Sequence, residues 1–543
     1  MCGIWFVLGE LAKTQNVEDY LQFLKARGPE YSAAIDLSGV RIGFTRLAIN
    51  GLTPAGHQPF QNGHLYTVCN GEIYNYKELA QKHSIPLTEG TSDCAVLPFL
   101  YQKFNLTTFC RSLDGVFAIV IADVEKQTVF VARDPFGVRP LFEAKYADNS
   151  IVWSSEMKGC PPNFVSIEPF PPSTWRLYDF SGNVIQEHKY HEIPTTKLPW
   201  LSGYDNRSNA KYALRDALIK AVKKRLLSDR PIGALLSGGV DSSLIAAIAA
   251  RELAKEGKRL TTFSIGMPGS TDLKYAEQVA KHINSIHHTI LLSSNDFLQA
   301  IPEVVKAIES YDITTVRASV GNYLVGKYIK ENTDIKVVFN GDGSDEIGGG
   351  YIYFYAAPTN EEFEDESERL LQEIHLYDVL RSDRCISSHG LEPRTPFLDK
   401  SVVATWRAIG TELRRPQKPN TDGRGAQMEK QILREAFEMD NYLPFEVLWR
   451  KKEAFSDGVS AINDSWYKRC LEYALCLGLS LSDIVEKTKD YHNPPETEEA
   501  YWYRCLFEES YGAKAALVIP RMWMPRWVAG ASDPSARTLK ELY

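Results

Sequence analysis

Leu236-Ser237-Gly238-Gly239-Val240-Asp241-Ser242-Ser243 stands between an apolar run, Ile232 to Leu236, and a helical pattern, Leu244 to Lys255. A glycine-rich turn in that position lets successive backbone N–H groups and two serine hydroxyls surround a phosphate at the positive end of a helix. Neither GxxxxGKS/T nor GxGxxG is present, so the turn is neither a Walker A loop nor a dinucleotide fingerprint. Strand and helix patterns go on alternating downstream, through Leu260 to Ile265, Tyr275 to Ile283, Thr289 to Leu292, Asp296 to Ile308 and Lys336 to Phe339. Upstream, Ala213, Leu214, Ala217, Leu218, Ala221, Val222 and Leu226 mark an amphipathic helix. This alternation predicts an α/β unit with a parallel sheet.

Beyond Tyr351 the pattern is mainly helical, and the acidic run Glu361 to Glu368 reads as a solvated helix face. The Trp, Pro and Arg residues after Pro520 read as a tail packed on the body. The N-terminal stretch to about residue 190 differs in texture. Short β segments (Val40 to Arg46, Leu65 to Val68, Val116 to Ala122, Thr128 to Ala132, Ile151 to Ser154) are interrupted by helices near Glu18 to Lys25 and Asp93 to Phe104. That half is predicted to be α+β with mostly antiparallel pairing. Between the halves, 191–209 carries two prolines, a glycine and no periodicity, so it reads as a linker. The expected units are therefore 2–190 and 210–543.

Composition excludes several classes. The 543 residues carry 61 basic and 69 acidic side chains, a net charge of −8, with 44% hydrophobic residues. No basic surplus exists for a nucleic-acid partner, and no run approaches a membrane span. The nine cysteines are odd in number, scattered and never spaced as CxxC, which fits reduced thiols in the cytosol. Eight of them read as packing thiols.

Cys2 is the exception. Removal of Met1 would leave an α-amine, with a pKa of about 7.7–8.0, beside the thiol as an internal base. Asn70 and Gly71 end an apolar strand, where an amide and a backbone N–H can face one oxyanion. Arg46 offers a fork for a carboxylate and Asp93 an acceptor for an ammonium group; a surface arginine and a helix N-cap are the alternatives.

Taken together, Met1-Cys2-Gly3-Ile4-Trp5, Arg27-Gly28-Pro29, Arg46 to Ile49, Asn70 to Asn75 and Arg133 to Leu141 resemble the glutaminase domain of class II glutamine amidotransferases. The 236–243 turn resembles the pyrophosphate loop of enzymes that split ATP to AMP and pyrophosphate. With Tyr311 to Ser319, Gly350 to Phe354, Arg394 to Asp399, Glu453 to Gly458 and Asp533 to Thr538, the whole chain is similar to the family of glutamine-hydrolysing asparagine synthetases.

The resemblance implies an N-terminal-nucleophile αββα sandwich followed by an ATP-pyrophosphatase α/β sheet with helical additions. It assigns Cys2 as nucleophile, Asn70 and Gly71 to the oxyanion, and Arg46, Asn70, Glu72 and Asp93 to glutamine. ATP falls to Ser237, Gly238, Gly239, Asp241, Ser242, Ser243, Asn340 and Gly341. Leu235 and Ile265 would flank adenine or belong to the core. Asp241 would hold Mg²⁺, Thr314, Thr315 and Arg317 would contact aspartate or pyrophosphate, and Lys452 would oppose charge in the transition state. Implied substrates are glutamine, aspartate and ATP; oligomeric state, including a homodimer, stays open.

Two departures stand out. Where the family usually shows SGEGSDE, this chain has Asn340-Gly341-Asp342-Gly343-Ser344-Asp345-Glu346, so a serine becomes Asn340, the milder change, and the glutamate expected as base becomes the shorter Asp342. A displacement on the order of 1 Å can cost about a hundredfold. Two other readings use the same residues: amination or cyclisation of another carboxylate, whose enzymes generally lack the N-terminal cysteine, and a weakened regulatory homologue.

Overall fold

The computed structural model describes residues 1–194, 206–418, 425–478, 480–528, 530 and 533–539. The N-terminal half holds two six-stranded antiparallel sheets. One runs in the order Ser166–Pro169, Phe142–Lys145, Ile151–Ser154, Gly3–Leu8, Val40–Arg46, Tyr31–Leu37. The other runs Val184–Lys189, Thr174–Asp179, Thr128–Arg133, Gly115–Asp123, Leu65–Ile73, Phe60–Asn62.

Side-chain alternation stacks these sheets. Ile4, Phe6 and Leu8 turn inward to meet Val68, Ala118 and Val120 of the opposing sheet. Their neighbours Trp5 and Val7 turn outward onto Val17, Leu21 and Leu24 of helix Val17–Leu24. On the second sheet, Ile119 and Ile121 face away from the sandwich toward Leu97, Leu100 and Phe109. These strands are covered on both faces, so they read as unbroken apolar runs, and the layers are the expected helix–sheet–sheet–helix.

The C-terminal half is built on a five-stranded parallel sheet in the order Ile286–Leu291, Thr261–Gly266, Ile232–Leu235, Val337–Phe339, Glu392–Arg394. The chain steps outward in one direction from Ile232–Leu235, then returns to its other side with Val337–Phe339. A crevice therefore opens between the carboxyl ends of these two strands, the usual ligand position in an open α/β sheet. The turn at 236–243 and the loop at 340–343 both start there.

Several expectations change. The helix after the turn begins at Val240, not Leu244, which places Asp241, Ser242 and Ser243 in its first turn. The fifth strand, Glu392–Arg394, has no apolar alternation to announce it; its charged ends are buried and bonded to each other at 2.8 Å. Helix Arg207–Lys224, capped by Asn206, starts inside the expected linker, most of which (195–205) lies outside the described residues.

The acidic run is not a wholly solvated face. Glu364 pairs with Arg407 at 2.7 Å and also with Arg414, while Glu366, 0% exposed, pairs with Arg369 at 2.5 Å. The tail does pack: Trp523 and Trp527 lie against Tyr353. All nine cysteines are unpaired, but Cys476 and Cys505 are exposed and so are not packing thiols. No helix among the described residues is long and apolar enough to cross a membrane.

Candidate active sites

The first site lies at the start of strand Gly3–Leu8, where Cys2, Arg46, Asn70, Gly71, Glu72 and Asp93 line one pocket with Cys94 and Glu392. The Cys2 backbone nitrogen donates to Asn70 Oδ1 at 3.2 Å, and Arg27 Nε donates to the Cys2 carbonyl at 3.0 Å. The other end of the Asn70 amide, Nδ2, is buried with no hydrogen-bond partner. A buried donor left unmatched costs about 1–3 kcal/mol, and here it points to an acceptor supplied from outside the protein. Gly71 has no room for a side chain: a Cβ would sit 2.3 Å from the Val116 carbonyl oxygen.

Burial dominates the electrostatics. It pushes the Cys2 thiol up to about 11 while Met1 still precedes it, and holds the Met1 amine down to about 6. Burial also raises Glu72, helped by Asp93 and Glu392, and raises Asp93 against a hydrogen bond from the Ile73 N–H at 2.6 Å. Arg46 is tied to the carbonyls of Thr53, at 2.9 Å, and Gly51. Glu392 joins this pocket from the parallel sheet more than three hundred positions away; no local pattern in the sequence marks it.

The second site fills the crevice of the parallel sheet. Leu235, Ser237, Gly239, Asp241, Ser242, Ile265, Thr314, Asn340, Gly341, Asp342 and Lys452 all line it. Ser237 and Ser242 hydroxyls lie 2.9 Å apart across the turn. Gly238 shapes the turn from behind, with φ +75° and a would-be Cβ 2.6 Å from the Ala276 nitrogen. Ser243 is fully buried behind the lining, its hydroxyl without a hydrogen-bond partner.

Charge is arranged in alternation. Lys430 Nζ lies 2.6 Å from Asp241 and 2.5 Å from Asp345, and Lys452 Nζ lies 2.6 Å from Asp345 and 4.0 Å from Asp241. Burial would lift the Asp345 carboxyl, but the two ammonium groups outweigh it and hold it well below the usual range. Asp342 behaves oppositely: burial raises it, Arg381 approaches only to 3.4 Å, and Oδ2 has no hydrogen-bond partner. Lys430 and Arg381 are functional candidates that motif reading missed.

Besides Gly238 and Ser243, Thr315 and Arg317 also stand outside the lining. Thr315 caps its own helix, its hydroxyl donating to Asp312 at 2.7 Å. Both edges of the Arg317 guanidinium are occupied, by Glu499 at 2.8 and 2.6 Å and by Asp533 at 2.9 and 2.8 Å. In this structure Arg317 fastens the tail through these two carboxylates.

Both halves of the chain are similar to known proteins. Residues 1–173 match the family model of the glutamine amidotransferase domain, and 213–367 and 357–528 match that of asparagine synthase. The glutamine-hydrolysing asparagine synthetase of Gallus gallus is 40% identical, covering 99% of each chain; that of Homo sapiens is 41% identical, covering 99% of this chain and 98% of its own. Among solved structures, a glutamine phosphoribosylpyrophosphate amidotransferase from B. subtilis matches at 17% identity over 53% of this chain and 81% of its own, with a TM-score of 0.31. The chain belongs to the glutamine-hydrolysing asparagine synthetases.

Proposed function

We propose that this chain makes asparagine from aspartate and ATP, with nitrogen released from glutamine at Cys2, and works in the reducing cytosol. The observation that carries the reading is the pairing, in one chain, of a thiol beside an unspent amide donor with a separate phosphate turn in the sheet crevice.

At the first site Cys2 attacks the glutamine side-chain amide, and Asn70 Nδ2 with Gly71 meets the oxyanion. The thiol is a poor nucleophile while Met1 remains, because burial keeps it protonated. Removal of Met1 turns the nitrogen 3.2 Å from Asn70 Oδ1 into an amine that takes the thiol proton. Burial lowers the Met1 amine at this end of the chain, and the Cys2 amine exposed by its removal would sit in the same buried setting. Glutamate release per unit glutamine is therefore expected to rise with pH through a pKa below the ordinary α-amine range of about 7.7–8.0 and then level off. A pH profile whose acid limb lies above that range contradicts the assignment.

Ammonia then passes within the protein. Glu392 lines the first pocket, and its strand ends at Arg394, whose carbonyl accepts from the Asn340 N–H at 3.1 Å; Asn340 lines the second pocket. Three residues of strand, about 10 Å, thus bridge the wall between the sites. Enclosure matters because free ammonia meeting water becomes ammonium, which is not a nucleophile.

At the second site the aspartate side-chain carboxylate is adenylated, pyrophosphate leaves, and ammonia displaces AMP. Lys452 and Lys430 oppose negative charge that grows on the phosphates. The carboxylates of Asp241 and Asp345 are the hard-oxygen donors that fit Mg²⁺ held jointly with substrate phosphates, and the ion would neutralise the departing pyrophosphate. Asp342, raised by burial and with one oxygen free of hydrogen bonds, accepts the proton from attacking ammonia. Asp342→Asn is expected to slow asparagine formation from either nitrogen source by about a hundredfold, while aspartate-dependent exchange of pyrophosphate into ATP continues. Loss of exchange as well would place Asp342 in adenylation.

The assay for the whole reading supplies aspartate, glutamine, ATP and Mg²⁺. Expected products are asparagine, glutamate, AMP and pyrophosphate; ADP as the nucleotide product overturns it.

A further inference from the structure

One helix touches both sites. Helix Asp378–Ser387 lies buried between the halves of the molecule. At 100° per residue, Asp378, Arg381 and Ser382 fall on one side and Asp383 and Ser387 on the opposite side. On the first side, Asp378 and Arg381 line the nucleotide crevice, Arg381 stands 3.4 Å from Asp342, and Ser382 Oγ accepts from Asn340 Nδ2 at 2.5 Å. On the second side, Arg27 Nη1 lies 2.8 Å from Asp383 Oδ2, Ser387 Oγ and Glu156 Oε1 alike. The same guanidinium, through Nε, holds the Cys2 carbonyl. Arg384, on the same helix, reaches Glu309 at 2.6 Å, and Glu309 accepts from the backbone N–H groups of Met157 and Lys158 in the N-terminal half.

We infer that Asp383 is a positioning residue that ties the placement of Cys2 to occupancy of the nucleotide crevice. The inference rests on the proposed function of the two sites. An anionic substrate entering the crevice meets Arg381, which Asp378 of its own helix holds at 3.0 Å, while its Nε has no hydrogen-bond partner and its pairing with Asp342 is long. Drawing Arg381 toward the ligand displaces the helix, because a packed helix in a dense interior moves as a unit. Asp383 and Ser387 move with it and carry Arg27, and with Arg27 the carbonyl of the nucleophile. Spare capacity at the receiving end permits a second arrangement: Arg27 Nη2 is buried without a hydrogen-bond partner. Coupling of this kind is typically about 5- to 150-fold.

The test measures glutamate release at varied glutamine, with and without aspartate plus Mg-ATP, for wild type and Asp383→Asn. Wild type is expected to show at least about a fivefold rise in kcat/KM for glutamine when the crevice is filled. In Asp383→Asn that ratio is expected to fall to about one, with ammonium-driven asparagine synthesis within about twofold of wild type. A structural defect alone would lower both glutamate rates and leave their ratio unchanged. If Asp383→Asn does not fold, Ser387→Ala, which removes one of three acceptors of Arg27 Nη1, decides, and its ratio is expected to fall part of the way. An unchanged ratio in a folded variant, or no rise in wild type, overturns the coupling. Absence of ammonium-driven synthesis in wild type would instead overturn the proposed function.

Discussion

Cys2→Ala is expected to lower glutamine-driven asparagine formation by about a thousandfold or more while leaving ammonium-driven formation within about twofold. The substitution removes the sulfur that forms the thioester, and no other thiol can replace it. Cys94 also lines the pocket, but its Sγ sits 3.6 Å from the Gly71 carbonyl, its proton is held by the neighbouring Cys69 thiol, by burial and by Asp93, and it has no adjacent amine. Structural damage should be slight, because Cys2 sits at the edge of the inter-sheet core and its sulfur's hydrogen bond to the Leu47 carbonyl is a long one, 3.8 Å. The synthetase crevice is separated from Cys2 by the Glu392–Arg394 strand, so ammonium supplied from solution bypasses the change. Parallel assays with glutamine and with ammonium chloride read the result. Loss of both activities would show that the sites are not separable.

Lys452→Met should give the reverse pattern. Asparagine formation from both nitrogen sources is expected to fall by about a hundred- to a thousandfold, the usual cost of removing one preorganised charge or donor at a reacting centre. Glutamate release at the first site should persist. Lys452 and Lys430 are not equivalent here. The Lys430 side chain is fully buried between Asp241 and Asp345, and removing it would leave Asp241 with Lys452 only at 4.0 Å, breaking a buried pair at a cost of about 3–5 kcal/mol in folding. Lys452 retains some access to the crevice, and Asp345 keeps Lys430 when Lys452 is lost. Lys452→Met therefore reports on chemistry, where a change at Lys430 would mix chemistry with stability. Retained ammonium-driven synthesis in Lys452→Met would remove the residue from the synthetase site.

Both sites were legible in the sequence where their residues come as short local motifs. The 236–243 turn lies at the switch point of the parallel sheet, and Cys2 meets Asn70, Gly71, Glu72, Asp93 and Arg46 in one pocket. Local motifs survive sequence reading because a turn or strand end needs particular residues at fixed offsets. Residues delivered by long-range packing carry no such signature. Glu392 sits in a three-residue strand without apolar alternation, and Lys430 follows a stretch with no clear periodicity. Arg381 belongs to a helix whose amphipathic pattern reports burial but not what its arginine faces.

Charge misled in the acidic run. Glu364 and Glu366 are buried ion-pair partners whose complements lie 43 and 3 positions away. A charged residue in sequence announces either solvent or a partner, and only the fold distinguishes them. The shorter Asp342 is also clarified. Its free oxygen and burial suit a proton acceptor, so the missing methylene bears on placement and not on basicity.

The central claim is that the two sites work as one enzyme through ammonia held inside the protein. Its most direct test supplies aspartate, Mg-ATP and glutamine labelled with ¹⁵N in the side-chain amide, in the presence of unlabelled ammonium in solution. Asparagine should carry ¹⁵N in nearly every molecule formed at saturating glutamine, with one AMP formed for each asparagine. Label diluted to the ratio of labelled to unlabelled ammonia in bulk would contradict the account, because nitrogen would then be reaching the second site from solvent.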